Sequence, residues 1–186
     1  MRINYIAKLK RIENRFIRII RFETKYISIY TIKMFITNIT QAFNKTGIKY
    51  ALVGGHAVAI HGAVRGTMDV DFILKWDKLN LEKTEKTLND LGLVSRLPIS
   101  ANDVFHFREE YINNRNLIAW DFFNPLRPSE QVDIIITHNL IDIKTINVML
   151  QNNKITVISK KSLIQMKKES GREQDLLDIE ALEKIK

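Results

Sequence analysis

The stretch LVGGHAVAIHGAVRGTMDVDFIL, Leu52 to Leu74, restricts this chain more than any other part of it. Two glycines, Gly54 and Gly55, close an apolar run. Thirteen residues later, Asp69 and Asp71 flank Val70 inside a second apolar run. In a strand, residues two apart project from one face, roughly 6–7 Å apart along the chain. The two carboxylates therefore stand together, where they repel each other and resist burial. Taken singly, Asp-Val-Asp is equally the mark of a solvated edge strand, and Gly-Gly of a turn. A divalent cation relieves both the repulsion and the burial. Magnesium favours carboxylate oxygens together with phosphate oxygens and water, and two such ions about 4 Å apart can activate an attacking oxygen and stabilise a leaving pyrophosphate.

The glycines suit the same chemistry. They follow a predicted strand, KYALVGG, and precede a predicted short helix, HAVAIHGAV. Lacking side chains, their N–H groups can approach a phosphate closely, and a helix N-terminus adds partial positive charge there. A third carboxylate, Asp133, is again a lone charge in an apolar strand, QVDIIIT. On a neighbouring strand it would lie roughly 5 Å away and complete the cluster. Asp121 in AWDFF is a weaker candidate of the same type.

The remaining pattern predicts a helix over Phe35–Asn44 with Ile36, Ile39 and Phe43 on one face, and a helix over Leu79–Leu91 closed by Gly92. Ser100 and Asp103 form a capping box. LIAWDFF and QVDIIIT read as a hairpin with its turn around Pro125 and Pro128, and KITVIS as a last short strand. Ser159 or Ser162 caps a helix that runs to Ser170. Gly171 interrupts it, and a final helix carries Leu176, Ile179, Leu182 and Ile185. This order implies an α+β fold, a mixed sheet with flanking helices and a C-terminal helical segment, not a strictly parallel doubly wound sheet.

Charge divides the chain. Residues 1–33 hold nine Lys/Arg against two Glu, whereas residues 34–186 are nearly neutral, with twenty Lys/Arg and nineteen Asp/Glu. Tyr5, Leu9, Ile12, Phe16 and Ile19 recur at helical spacing, with Lys8, Arg11, Arg15 and Arg18 mostly opposite. Residues 1–33 thus read as a basic amphipathic arm. The arm suits an anionic membrane surface or nucleic acid; packing on the body, or an extension upstream of a start at Met34, explains it as well. Residues 34–186 form the expected domain. No cysteine is present, which excludes disulfides and Cys-based zinc sites and fits a reducing, cytoplasmic location. No integral membrane segment is expected.

The conjunction of Gly54-Gly55, Arg65-Gly66-Thr67, Asp69-Val70-Asp71 and a second strand aspartate, Asp133, resembles the nucleotidyltransferase superfamily, the polymerase-beta-like fold. GGHAVAIHG, FFNPLRPSEQVDIII and LIQMKKESGREQDLLDIEAL look closest to small bacterial proteins related to AbiEii-type toxins. The resemblance spans about Phe35 to Ile185. It implies transfer of a nucleoside monophosphate from a nucleoside triphosphate to an acceptor hydroxyl, on RNA or protein, with Mg2+ or Mn2+ as cofactor and a cognate toxin or antitoxin as partner. A small molecule of antibiotic type is the alternative acceptor, and a non-catalytic nucleotide-binding or interaction module the alternative role. By matched position, Asp69, Asp71 and Asp133 would be catalytic and hold metal, while Gly54, Gly55, Arg65, Thr67 and Lys167 would bind nucleotide. Arg65 could face either a phosphate or a carboxylate. Asp175 and Asp178 share one helix face and are expected to pair with Arg172 or Lys167. His56 and His61 are expected to act in packing or behind the site.

Overall fold

A computed structural model describes residues 33–185; the expected arm falls outside the described residues but for its last position. The chain divides into two units, Met1–Phe35 and Ile36–Lys186, and the elements of the second unit carry the features below.

Helix α1 occupies residues 33–46 and is followed by β1 (Tyr50–Leu52), α2 (Gly54–Ile60), β2 (Val70–Leu74), α3 (Lys78–Asp90) and β3 (Val94–Ser95). Next come α4 (Ala101–His106), α5 (Arg108–Arg115), β4 (Ala119–Asn124) and β5 (Arg127–Ile135). A 3-10 turn at Leu140–Asp142 leads to β6 (Thr145–Leu150), β7 (Asn153–Ile158), α6 (Lys160–Ser170) and α7 (Glu173–Glu183). The strands form one sheet in the order β3-β4-β5-β2-β1-β7-β6. It is mixed: β2 runs parallel to β5 and antiparallel to β1, and β1 runs parallel to β7.

The central position of β2 follows from its composition. Val70, Phe72, Ile73 and Leu74 are all buried, so both faces of the strand are covered, as its nearly continuous apolar run requires. On one face Phe72 meets Phe43 of α1 and Tyr50 of β1, with ring centroids 5.2 to 5.5 Å apart, within the range of favourable aromatic pairs. Asn80 ties α3 to this layer. Its side chain accepts from Lys49 N–H and donates to the carbonyls of Lys49 and Lys75. The opposite face of β2 carries Asp71 and is packed by α2, which also meets α6.

The mixed sheet, the hairpin, the capping box at Ser100 and the stop at Gly171 match expectation. Several details differ. The two glycines do not precede α2 but form its first turn. The hairpin turn lies at Pro125 and Leu126, and Pro128 sits within β5 on its exposed N-terminal stretch, where a missing N–H leaves no buried partner unsatisfied. The helix after Ser100 breaks into α4 and α5 at Phe107. Two strands lie outside the expected elements: β3 is only two residues long, and β6, although Ile146, Val148 and Leu150 alternate along it, is exposed along most of its length. Of the apolar residues expected on the last helix, Ile179 and Leu182 face inward and Leu176 is exposed; Asp175 and Asp178 are buried beside them.

Phe72→Ala should lower unfolding free energy by about 3–5 kcal/mol, read from urea denaturation; a loss below about 1 kcal/mol would show that this aromatic layer does not organise the sheet.

Candidate active site

Strand register places the acidic residues. Asp71 of β2 stands opposite Asp133 of β5, and Asp133 stands opposite Asp121 of β4. Directly paired residues share a face, so three carboxylates form a row across three adjacent strands, with neighbouring positions about 5 Å apart. Asp69, two residues before Asp71, extends the cluster just outside β2. Asp69, Asp71 and Asp133 line one cavity of about 270 Å³, together with Gly54, Gly55, Arg65, Thr67, Ile135, Met166, Lys167, Arg172, Gln174 and Asp175. All eight residues expected at the site are therefore brought to one cleft. Asp121 does not line it. A second cavity of about 290 Å³, between Asn44, Lys49, Tyr50, Leu140 and Thr156, has no carboxylate in its walls.

The glycines are demanded by geometry. Gly54 has φ +60°, and a Cβ built there would fall 1.8 Å from Oδ2 of Asp71. A Cβ on Gly55 would lie 2.8 Å from the Thr67 side chain. Hence Gly54 permits both the left-handed backbone and the approach of Asp71, and the Gly55 N–H donates to the Asp71 carboxylate. Val53 N–H also donates to the Asp71 carbonyl, at 2.9 Å, which locks the glycine turn to β2.

Burial and mutual charge disfavour ionisation along the row. Burial and the charge of Asp69 push Asp71 up to about 6, against the smaller pull of Arg172, Lys167 and the Gly55 N–H. Burial, then Asp121, Asp71 and Asp69, push Asp133 up to about 7, with Arg96 opposing. Burial likewise raises Asp121, countered by Arg96. Among the described residues no three carboxylates or imidazoles are gathered tightly enough to enclose a metal ion. The arrangement suits instead an ion held from one side. Such an ion takes its remaining oxygens from phosphate and water, and the raised carboxylates of Asp71 and Asp133 are the groups its charge would relieve.

Behind this row lies a second, oppositely charged cluster. Lys167 of α6 is buried, and its Nζ donates to Asp175 Oδ1 and Asp178 Oδ2 of α7, each at 2.7 Å. Arg172 Nε donates to Asp175 Oδ2 at 2.8 Å. Arg65 Nε lies 3.5 Å from Asp178 Oδ1 as an ion pair without a hydrogen bond. Burial pushes the Asp175 carboxyl up, but hydrogen bonds from Arg172, Lys167 and Ser170 outweigh it and hold the group well below its ordinary value. The expected pairing of the two aspartates with Arg172 and Lys167 is thus observed, and Arg65 faces a carboxylate. Lys167, expected to reach phosphate, instead has its ammonium committed to two carboxylates.

His61 Nε2 lies 2.8 Å from the Ile158 carbonyl, a packing role. His56 is buried with Nε2 unpartnered. Burial pushes it down to about 4, only partly offset by Asp69 and the Met68 backbone, so it is neutral near pH 7. Arg172 and Gln174 were not singled out as lining residues. The available signal was Gly171, whose φ of +64° ends α6 and turns the next residues into the cleft.

No protein-family model and no curated protein matches the sequence. Solved structures do. The chain is similar to an antigenic nucleotidyltransferase-like protein from Paracoccidioides brasiliensis, 16% identical over 81% of this chain and 74% of that one, with a TM-score of 0.54. It is similar to the lincomycin-bound lincosamide antibiotic adenylyltransferase LnuA, 16% identical over 82% and 97%, TM-score 0.57. It is also similar to the antibiotic-resistance factor ANT(2'')-Ia, 10% identical over 82% and 83%, TM-score 0.58. The chain has the nucleotidyltransferase fold.

Two outcomes are expected. Gly54→Ala should displace Asp71 and cost at least about 1 kcal/mol for the left-handed backbone alone; a denaturation midpoint equal to that of the parent protein would contradict the close approach. The second concerns pH. Raised carboxylates hold protons in the folded state that the unfolded chain has released, so their contribution to stability falls as pH rises from the ordinary 3.8 towards 6 and 7. His56, depressed towards 4, acts in the opposite sense over much of that range, so a comparison of proteins isolates the carboxylates. Without divalent ions, the Asp71→Asn/Asp133→Asn protein should gain in Tm over the parent as pH rises from about 4 to about 7. Millimolar magnesium should narrow that difference. A difference constant with pH would refute the assignment.

Proposed function

We propose that this protein is a metal-dependent nucleotidyltransferase that moves a nucleoside monophosphate from a nucleoside triphosphate to an acceptor hydroxyl. One observation carries the reading: on a nucleotidyltransferase fold, a glycine turn touches Asp71, which lines one cleft together with Asp69 and Asp133. Asp69, Asp71 and Asp133 would hold Mg2+ or Mn2+, which supplies positive charge to the triphosphate and to the acceptor oxygen. The Gly54–Gly55 turn, the start of α2 and Thr67 form the wall against which the phosphates lie. Asp133 accepts the proton of the acceptor hydroxyl at its carboxylate. The acceptor oxygen then forms a bond to the α-phosphorus, the bond from that phosphorus to the bridging oxygen of the β-phosphate breaks, and pyrophosphate leaves with the electron pair.

Two acceptor classes follow from two observations. The sequence resemblance to AbiEii-type proteins favours RNA or protein within a toxin–antitoxin or phage-defence system, with a cognate partner. The similar structures favour a small hydroxylated molecule: one holds lincomycin, and another is bound to adenylyl-2"-tobramycin. Residues 34–186 would form the catalytic domain, with 1–33 an arm outside it.

Purified protein incubated with magnesium and each α-labelled nucleoside triphosphate, in the presence of total tRNA, cell protein or a pool of hydroxylated small molecules, should label one acceptor class. Asp69→Ala/Asp71→Ala should abolish the label, and Asp133→Asn should slow transfer by about 10²–10⁴-fold. Undiminished transfer by either variant would overturn the assigned roles.

A further inference from the structure

We infer that Arg172, not Lys167, is the cation that meets the triphosphate, and that the buried Lys167–Asp175–Asp178 cluster is the base on which Arg172 is mounted. The inference rests on the nucleotidyltransferase reading above.

Three cationic side chains line the cleft: Arg65, Lys167 and Arg172. They differ in what remains free. Lys167 is buried, and two of its three ammonium donors go to carboxylates at 2.7 Å, which leaves one donor on a side chain covered by protein. Arg65 is mostly covered and faces Asp178. The Arg172 side chain is 75% exposed, and it is anchored along one edge only, through Nε at 2.8 Å and one terminal nitrogen at 3.4 Å to the two oxygens of Asp175. A guanidinium carries five N–H donors, so most of its donors remain for a second oxyanion. Its charge reaches the row as well, since it is one of the groups that pull Asp71 down.

The backbone explains why the side chain sits there. Gly171 ends α6 in the left-handed region, and Arg172 is the extended residue immediately before α7, with φ −66° and ψ 152°. Its carboxylate anchor, Asp175, lies in the first turn of α7 and is itself held by Lys167 from α6. A flexible cation is thereby fixed at one edge by a carboxylate that cannot move without breaking a buried ion pair. Planar, bidentate recognition of this type suits phosphate oxygens, and a lysine does not reproduce it.

The test uses inorganic tripolyphosphate, a probe that carries the phosphate chain without a base, titrated calorimetrically into the full chain with magnesium present and no acceptor. Thermal melting of the same samples reports on folding. Arg172→Ala should melt at the parent temperature, because Asp175 keeps Lys167, and should bind tripolyphosphate about 10- to 100-fold more weakly. Arg172→Lys should recover only part of the loss. Parent-like affinity in Arg172→Ala overturns the inference and leaves the proposed function standing. A loss of affinity matched by a large fall in melting temperature in both variants also overturns it, since Arg172 would then be structural. If the parent protein binds neither tripolyphosphate nor any nucleoside triphosphate, the underlying reading fails and takes the inference with it.

Discussion

The repulsion among aspartates aligned across β4, β5 and β2 is the constraint around which this molecule is arranged. Register alone sets Asp121, Asp133 and Asp71 side by side on one face, and β2 is buried on both faces. A sheet that must keep such a row needs compensation nearby. Part of it is local: the Gly55 N–H donates to Asp71, and Gly54 has no Cβ to exclude that carboxylate. The rest is left unmet by the protein itself, and the raised proton affinities of Asp71 and Asp133 record it. Groups whose charge is incompletely compensated inside a cleft are a physical signature of a site built for a charged ligand.

The C-terminal helices answer this row with a cluster of the opposite sign. Lys167, Arg172 and Arg65 converge on Asp175 and Asp178, three cations against two carboxylates. A buried ion pair of this kind adds little net stability, because desolvation offsets most of the attraction, but removing the buried Lys167 would strand the carboxylates it joins. Its consequence here is geometric. Lys167 joins α6 to α7, and Arg65 joins the loop before β2 to α7, so the helices close one side of the cleft with a fixed set of charges. The cleft is thus lined by Asp69, Asp71 and Asp133 on one side and by Arg65, Lys167 and Arg172 with Asp175 on the other.

Much of this was legible from residue spacing. The period-2 placement of Asp69 and Asp71, the glycine pair at the strand–helix junction, the capping box at Ser100 and the stop at Gly171 are local features, and local sterics decide them. The failures were local as well. The strand β6 is largely exposed, so its alternating Ile146, Val148 and Leu150 mark no buried face, and the break between α4 and α5 at Phe107 has no proline or glycine to announce it. On α7 the spacing places Ile179 and Leu182 correctly, whereas Leu176 is exposed because the buried aspartates share that face.

By itself, the sequence determined which residues are candidates for a site: two carboxylates two residues apart, a third on a later strand, glycines at the close approach, and cations and aspartates near the C-terminus. Those are properties of neighbours along the chain. Only the tertiary structure decided that Asp133 stands opposite Asp71, that Lys167 is consumed by Asp175 and Asp178, and that Arg172 is left facing the cleft. Each of those facts depends on which strands pair and on how two helices dock, and the energies that settle such choices come from burial and charge between segments far apart in the chain.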